Sequence, residues 1–332
     1  MKVALWLAPT LGLLCAGVNA RPSPEEDMTP GWGGTISANG FVIHQRSQFN
    51  TDDDNAITKD LNNRGQAVTQ YQAIPLGRLH YTTASGSTQF FIGQSKDQVI
   101  EGQLQAEAGI TQRLGRFGTL TVAYFPKLPG VSETWRDPFL TNAERDATDV
   151  STHGGRIAFS PAFIPLTFRY AYVDYQLDDE DSGNSLLISS SERKALVRDS
   201  DYHQAAIEFP IPLSRQITLL PRLNYTFRQA EGDANDFNAW GYQLGLNMDF
   251  GRHSLNTVLR YSDQDYQNHH PVFGQERDAT QWSASLLYLY HAPFGWQNAY
   301  LNLLSSAEQT DSDIRFYQSQ GYYLSAGIGY RF

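Results

Sequence analysis

From about residue 32 to the C-terminal Phe332 the apolar residues of this chain recur at every second position. In LTFRYAYV (166–173), Leu166, Phe168, Tyr170 and Tyr172 share one face of an extended segment, while Thr167, Arg169 and Ala171 share the other. The dyad returns in TLTVAY (119–124), in YQLGLNMDF (242–250), where Tyr242, Leu244, Leu246, Met248 and Phe250 align, and in SLNTVLRY (254–261). A helix would scatter such residues around its axis, so the chain reads as all-β. Period two fits two antiparallel architectures: a sandwich, whose apolar faces meet in a core, and a membrane barrel, whose apolar faces meet lipid.

The connections discriminate between them. Short ones fall near Ser85-Gly86, GRFG (115–118), SPAFIP (160–165), PLSR (212–215), FGRH (250–253) and APFG (292–295). Long polar ones lie between them, near 51–66, 94–100, 127–152, 178–200, 231–239, 267–279 and 310–319. Short turns alternating with long loops are the pattern of outer-membrane barrels, with turns in the periplasm and loops outside. The expected fold is a transmembrane antiparallel β-barrel of about fourteen strands, an even number that returns both termini to the periplasmic side. Aromatic placement agrees. Phe117, Phe163, Phe209, Phe250, Phe294 and Trp296 sit beside short turns, and Tyr124, Tyr172, Tyr225, Trp240, Tyr261 and Trp282 sit near long-loop ends, so two interfacial girdles form.

The ends of the chain fit this compartment. Met1-Lys2 precedes an apolar stretch, Val3 to Val18, followed by Val18-Asn19-Ala20, which a signal peptidase would read. The expected division is a signal peptide over 1–20, a periplasmic N-terminal segment over 21–31 and the barrel over 32–332. The one cysteine, Cys15, lies in the leader, which removes disulfides and thiol chemistry from the mature chain. At the other end, GYYLSAGIGYRF (321–332) places Tyr322, Leu324, Ala326, Ile328, Tyr330 and Phe332 on one face. It resembles the C-terminal signal that the barrel-assembly machinery of Gram-negative bacteria recognises, with Tyr330 and Phe332 as the aromatic pair. This last strand must also pair with the first, near GFVIHQR (40–46), so that no open edge faces lipid.

The blocks PLGRLHYT (75–82), SETWRDPF (132–139), LVRDSD (196–201), FGQERDAT (273–280), Gly295-Trp296 with Asn298, and SDIRFY (312–317) carry a closer resemblance. They resemble the recurring blocks of a gammaproteobacterial outer-membrane family catalogued as domain of unknown function 2860. That resemblance implies a barrel and a compartment, and carries no activity onto particular residues.

Function is then sought in the wall and the loops. The strongest enzymatic candidate is YSDQDYQNHHP (261–271), with Asp263, Asp265, His269 and His270 at one outer loop. Adjacent histidines in an extended segment point opposite ways, and neither a nucleophile nor an orienting group accompanies them, so the expectation is two solvated loop histidines and no enzyme. No cofactor is implied. The acidic runs DDD (52–54) and DDED (178–181) help give a formal net charge of −10, which disfavours nucleic acid as a partner. Such runs could hold divalent cations among lipopolysaccharide phosphates, although neither has the spacing of a calcium loop, so metal binding stays open. The remaining partners are outer-membrane lipid, lipopolysaccharide and small polar solutes.

If the aromatic and aliphatic faces meet lipid, Arg169, Arg222, Arg228 and Arg260 point inward from ascending strands. Glu107, Glu208 and Asp249 point inward from descending ones. A charge on the lipid face would cost about 2–4 kcal/mol at mid-bilayer, which supports the inward assignment. These seven residues are the candidate pore lining. The functional expectation is a porin-like channel for small polar solutes of saccharide type; the alternatives are a closed structural or surface-interaction barrel and, third, an outer-membrane hydrolase. The loop over 127–152, carrying Trp135, is long enough to fold inward and narrow the channel.

Overall fold

The computed structural model describes residues 28–95, 106–128 and 132–332. The leader assigned to 1–20 lies outside the described residues, as do residues 21–27 of the periplasmic segment assigned to 21–31.

The strands are β1 (Gly31–Arg46), β2 (Ala67–Thr82), β3 (Thr88–Gln94), β4 (Ala106–Arg113), β5 (Gly118–Phe125), β6 (Ser132–Trp135), β7 (Ala147–Pro161), β8 (Thr167–Leu177), β9 (Ser200–Glu208), β10 (Ile211–Pro212), β11 (Ile217–Ala230), β12 (Phe237–Phe250), β13 (His253–Tyr266), β14 (Ala279–His291), β15 (Ala299–Ser312) and β16 (Ser319–Arg331). Each wall strand pairs antiparallel with its neighbours in sequence, and β16 returns to β1, so that among the described residues fourteen strands close a barrel. The two remaining strands extend others. β10 carries the line of β9 along β11 past Pro210, and β6 resumes along β7 after β5 has ended.

Closure runs along most of β1, from Thr35 opposite Arg331 to Arg46 opposite Gln320. Beyond it, Phe332 and Gly34 exchange both backbone hydrogen bonds, at 2.9 and 3.1 Å. Full pairing matters here because hydrocarbon offers no partner to an open edge.

The dyad reads out as two faces. Trp32, Ile36, Tyr71, Ile92, Tyr124, Tyr242, Leu324 and Ile328 are exposed on the outside, where lipid covers them, and their strand neighbours point inward. Both aromatic girdles are present, with Phe117, Phe163, Phe294 and Trp296 exposed at the short-turn end and Tyr124, Trp240, Tyr261 and Trp282 exposed toward the long loops. Among the described residues no helix is long and apolar enough to cross a membrane, and the chain spans it with strands. Among the described residues the loops carry one α-helix, α1 (Ser190–Ala195), which starts at a Ser189–Glu192 capping box in the loop after β8.

Close approach across the inner face is made by glycine. Gly329 on β16 lies beneath the ring of Tyr300 on β15; a Cβ there would come within 2.1 Å of the ring. Gly327 does the same for the side chain of Asn39 on β1.

Candidate functional site

The register gathers charged residues into rows along the inner wall. One row runs from Glu208 on β9 through Arg222 on β11, Gln243 on β12, Arg260 on β13 and Ser283 on β14 to Glu308 on β15, each directly opposite the next. Arg260 donates through Nε to Gln243 Oε1 at 2.9 Å, and Arg222 donates to Gln204 Oε1 at 3.2 Å. Arg169 on β8 reaches Glu208 at 3.5 Å, and both stay partly accessible. Glu308 accepts from the Tyr323 hydroxyl. The row thus has two cations flanked by one anion at either end.

Three of the candidate residues stand elsewhere on the inner face. Glu107 on β4 is fully buried between two arginines, receiving Arg78 at 2.7 Å and Arg156 at 2.8 Å. It also accepts from Ser95 Oγ. Arg228 lies nearer the outer end, donating to Ser200 Oγ and to the Arg198 carbonyl, both at 2.8 Å, with its guanidinium 5.3 Å from the Tyr202 ring centre. Asp249 lies near the short-turn end and accepts from Ser254 Oγ at 2.5 Å.

A second inner-wall feature was not foreseen. Phe41 and Ile43 on β1, Ile74 and Leu76 on β2, Val258 on β13, Leu287 and Leu289 on β14, Tyr300 and Leu304 on β15 and Tyr323 on β16 form one buried apolar cluster. These residues sit on the inward positions of adjacent strands, to the short-turn side of the charged row. The signal was available. Around FVI (41–43), SLLYLY (285–290) and YLNLL (300–304) the sequence is apolar on both faces, which breaks the alternation expected of a strand with lipid on one side and water on the other.

The long loops meet over the outer mouth. Phe139, Leu196, Ile314 and Phe316 make a buried cluster, with Phe49, Leu61, Leu186, Ile188, Val272, Phe273 and Tyr317 packed against it. These residues come from the connections after β1, β6, β8, β13 and β15, which start from all around the rim. Buried arginines tie the cap together. Arg145 donates to the Ala56 carbonyl at 3.2 Å and to Gln48 Oε1 at 3.1 Å, with its guanidinium 4.5 Å from the centre of the Trp135 ring. Arg198 donates to Glu180 and to the Trp135 carbonyl, both at 2.8 Å. Arg136 pairs with Asp181. Two carboxylates of the acidic run 178–181 are therefore spent on holding the cap, and SETWRDPF, LVRDSD, FGQERDAT and SDIRFY all contribute to it.

The loop residues considered for catalysis do not come together. Asp263 and Asp265 are exposed on the outward face of β13, and His269 is exposed, 3.5 Å from Glu276. His270 corrects the expectation of a solvated histidine. It is 1% exposed inside the cap, where its Nε2 faces the Tyr317 hydroxyl at 2.7 Å and its Nδ1 accepts from the Val272 backbone N–H at 3.2 Å. Burial, with Arg277 nearby, pulls its pKa down to about 3, so the ring is neutral at ordinary pH. No group of three or more metal-ligating side chains occurs among the described residues.

A closed antiparallel barrel with an apolar outer belt and two aromatic girdles defines an outer-membrane β-barrel. The chain belongs to the family described as protein of unknown function (DUF2860), whose profile matches residues 31–331. A search of curated proteins gives no match. Among solved structures it is similar to the CymD monoaromatic hydrocarbon channel, at 9% identity and a TM-score of 0.49, covering 100% of this chain and 99% of that one. It is similar to a Pseudomonas aeruginosa FadL homologue at 12% identity and a TM-score of 0.46, covering 99% and 98%. An anion-selective porin from Comamonas acidovorans gives 10% identity and a TM-score of 0.42, covering 91% and 98%.

Proposed function

We propose that this protein is a porin-like channel that carries small polar solutes across the outer membrane. The observation that carries this reading is the inner-wall row from Glu208 through Arg222, Gln243 and Arg260 to Glu308. Two arginines flanked by an acid at either end, side by side on one stretch of wall, make a local field that orients polar solutes as they pass. Arginine grips hydroxyl and carboxylate groups at two points, so this wall taken alone suits acidic or neutral saccharides. In this reading Arg169, Arg222, Arg260, Glu208 and Asp249 line the path, the buried Glu107 and Arg228 brace the wall behind it, and the loop cap controls entry from outside. The leader over 1–20 directs export, Tyr330 and Phe332 address the assembly machinery, and the acidic loops stand among lipopolysaccharide.

A second reading is a closed barrel that serves as a structural or surface element. The interlocked cap and the buried Arg78–Glu107–Arg156 group favour it. Recording from the refolded protein in planar bilayers separates the two. Discrete conductance steps support the channel; a sealed bilayer at saturating protein, with folded barrel verified by its altered gel mobility before heating, supports the closed barrel.

A further inference from the structure

The short turns carry charge of one sign. In the connections 83–87, 114–117, 162–166, 209–216, 251–252 and 292–298 the charged residues are Arg116, Arg215 and Arg252, and neither Asp nor Glu occurs in any of them. All three arginines are exposed, and among the described residues none makes an ion pair with a carboxylate. The acid closest to them in sequence, Asp249, points inward and accepts from Ser254 Oγ. The acidic runs 52–54 and 178–181 belong to the long loops at the other end of the barrel.

The neighbours of each arginine set its depth. Arg116 lies between Leu114 and Phe117, with its guanidinium 5.1 Å from the centre of the Phe117 ring. Arg215 stands two residues after Leu213, and Arg252 two after Phe250. Leu114, Phe117, Leu213 and Phe250 are all exposed apolar side chains of the short-turn end, where the acyl region gives way to headgroups. An arginine beside such a residue lays its stem on the apolar surface and holds its guanidinium in the polar layer. The three turns follow β4, β9 and β12, and only the turn after β7, which presents the exposed Phe163, falls among them. They therefore occupy one arc of the rim, about 10–20 Å apart at about 4.8 Å per strand, and the chain's terminal carboxylate, at the seam of β16 with β1, lies outside that arc. At this spacing each arginine meets a different anion. A layer of small anionic groups at headgroup depth supplies them; one small ligand does not.

We propose that this arc of the periplasmic rim binds anionic phospholipid of the inner leaflet, one headgroup at each of Arg116, Arg215 and Arg252. The guanidinium takes two phosphate oxygens at once, and the apolar residue beside it packs on the acyl chains of the same lipid. A zwitterionic headgroup offers the same phosphate but brings its own ammonium, so it gains less from a cation that has no carboxylate partner. The surface continues the lipid-facing belt and serves an open barrel and a closed one alike.

The test is native mass spectrometry of the folded protein released from mixed micelles holding phosphatidylglycerol and phosphatidylcholine in equal amounts, after EDTA treatment so that divalent ions do not bridge lipid to the acidic loops. Retention of phosphatidylglycerol is expected, favoured over phosphatidylcholine about fivefold at each arginine and less so as ammonium acetate is raised. Arg116→Gln, Arg215→Gln and Arg252→Gln combined should erase the preference while gel mobility before heating stays that of the folded barrel. Asp53→Asn with Asp54→Asn, at the opposite rim, should leave it unchanged. Equal retention of the two lipids by the native protein, or a preference that survives in the triple variant, would overturn the proposal. Arginine-dependent pelleting with purified peptidoglycan, in a protein without lipid preference, would give this arc to the cell wall instead.

Discussion

Trp135 donates its indole N–H to the backbone carbonyl of Gln48 at 2.8 Å, joining positions 87 residues apart. The ring is 2% exposed and carries the Arg145 guanidinium over its face. The loop after β1 and strand β6 are thus fastened by one residue pair.

Replacing Arg145 by Met should loosen the cap without opening the barrel. The carbonyls of Asn55 and Pro138 and the side-chain oxygen of Gln48 would lose the donor that the guanidinium supplies, at about 1–3 kcal/mol for each group left buried. Limited proteolysis of the folded protein in detergent should cut within 47–66 at protease concentrations lower by about tenfold or more, while gel mobility before heating stays that of a closed barrel.

Acid should act on the cap through His270. Its folded pKa of about 3 lies below the ordinary 6.5, so the unfolded loop takes up a proton that the packed loop refuses. Cap stability is therefore full above pH 6.5 and falls as pH drops from there toward 3, by at most about 1.4 kcal/mol per pH unit. Loop cleavage measured between pH 7 and 4 should rise in the native protein and stay nearly flat in His270→Gln.

Glu107→Ala should leave Arg78 and Arg156 facing each other in a buried site. Removing one partner of such a group costs about 3–5 kcal/mol. Urea unfolding of the barrel in lipid should shift accordingly, and Arg78→Met in the same background should recover part of the loss.

Arg222→Gln with Arg260→Gln removes the cations of the charged row and leaves Glu208 and Glu308 in place. Reversal potentials in a salt gradient should move toward cation preference. Neutralising the exposed Asp53 and Asp54 should move them less, because charges at the loops are screened within about 8 Å at physiological ionic strength.

Deleting Phe332 removes a residue that exchanges two backbone hydrogen bonds with Gly34 and leaves Arg331 as the last paired position. The truncated chain should refold in detergent to a large fraction of the native yield yet reach the outer membrane of cells at a small fraction of the native level. Equal losses in both settings would assign the residue to the seam alone.

The barrel was legible because its alternation is a local property of sequence. Strand number, the six short turns and the pairing of 40–46 with the last strand all follow from a period of two and from where it stops. The cap was not, because its core draws single residues such as Phe49, Phe139, Leu196 and Phe316 from separate polar loops, and no period links them. The burial of His270 was hidden for the same reason: the polar run DQDYQNH (263–269) precedes it, whereas Phe139 and Tyr317, which pack against its ring, come from other loops. The apolar inner patch was legible in principle, but it was absorbed into the general greasiness of the strands.

The pairing of β1 with β16 also sets an order of events. Every other seam in the wall joins strands that follow one another along the chain and can zip locally, whereas this one must bring residue 35 to residue 331. Its loop-closure entropy is the largest in the molecule, so it is the step that closes last. Until then the nascent sheet has two free margins, each with its hydrogen-bonding groups unused and each complementary to the other. In a crowded periplasm, the first margin of one copy is as good a template for the last margin of another as for its own. Closure within one chain uses both margins on each other and so removes the template for pairing end to end.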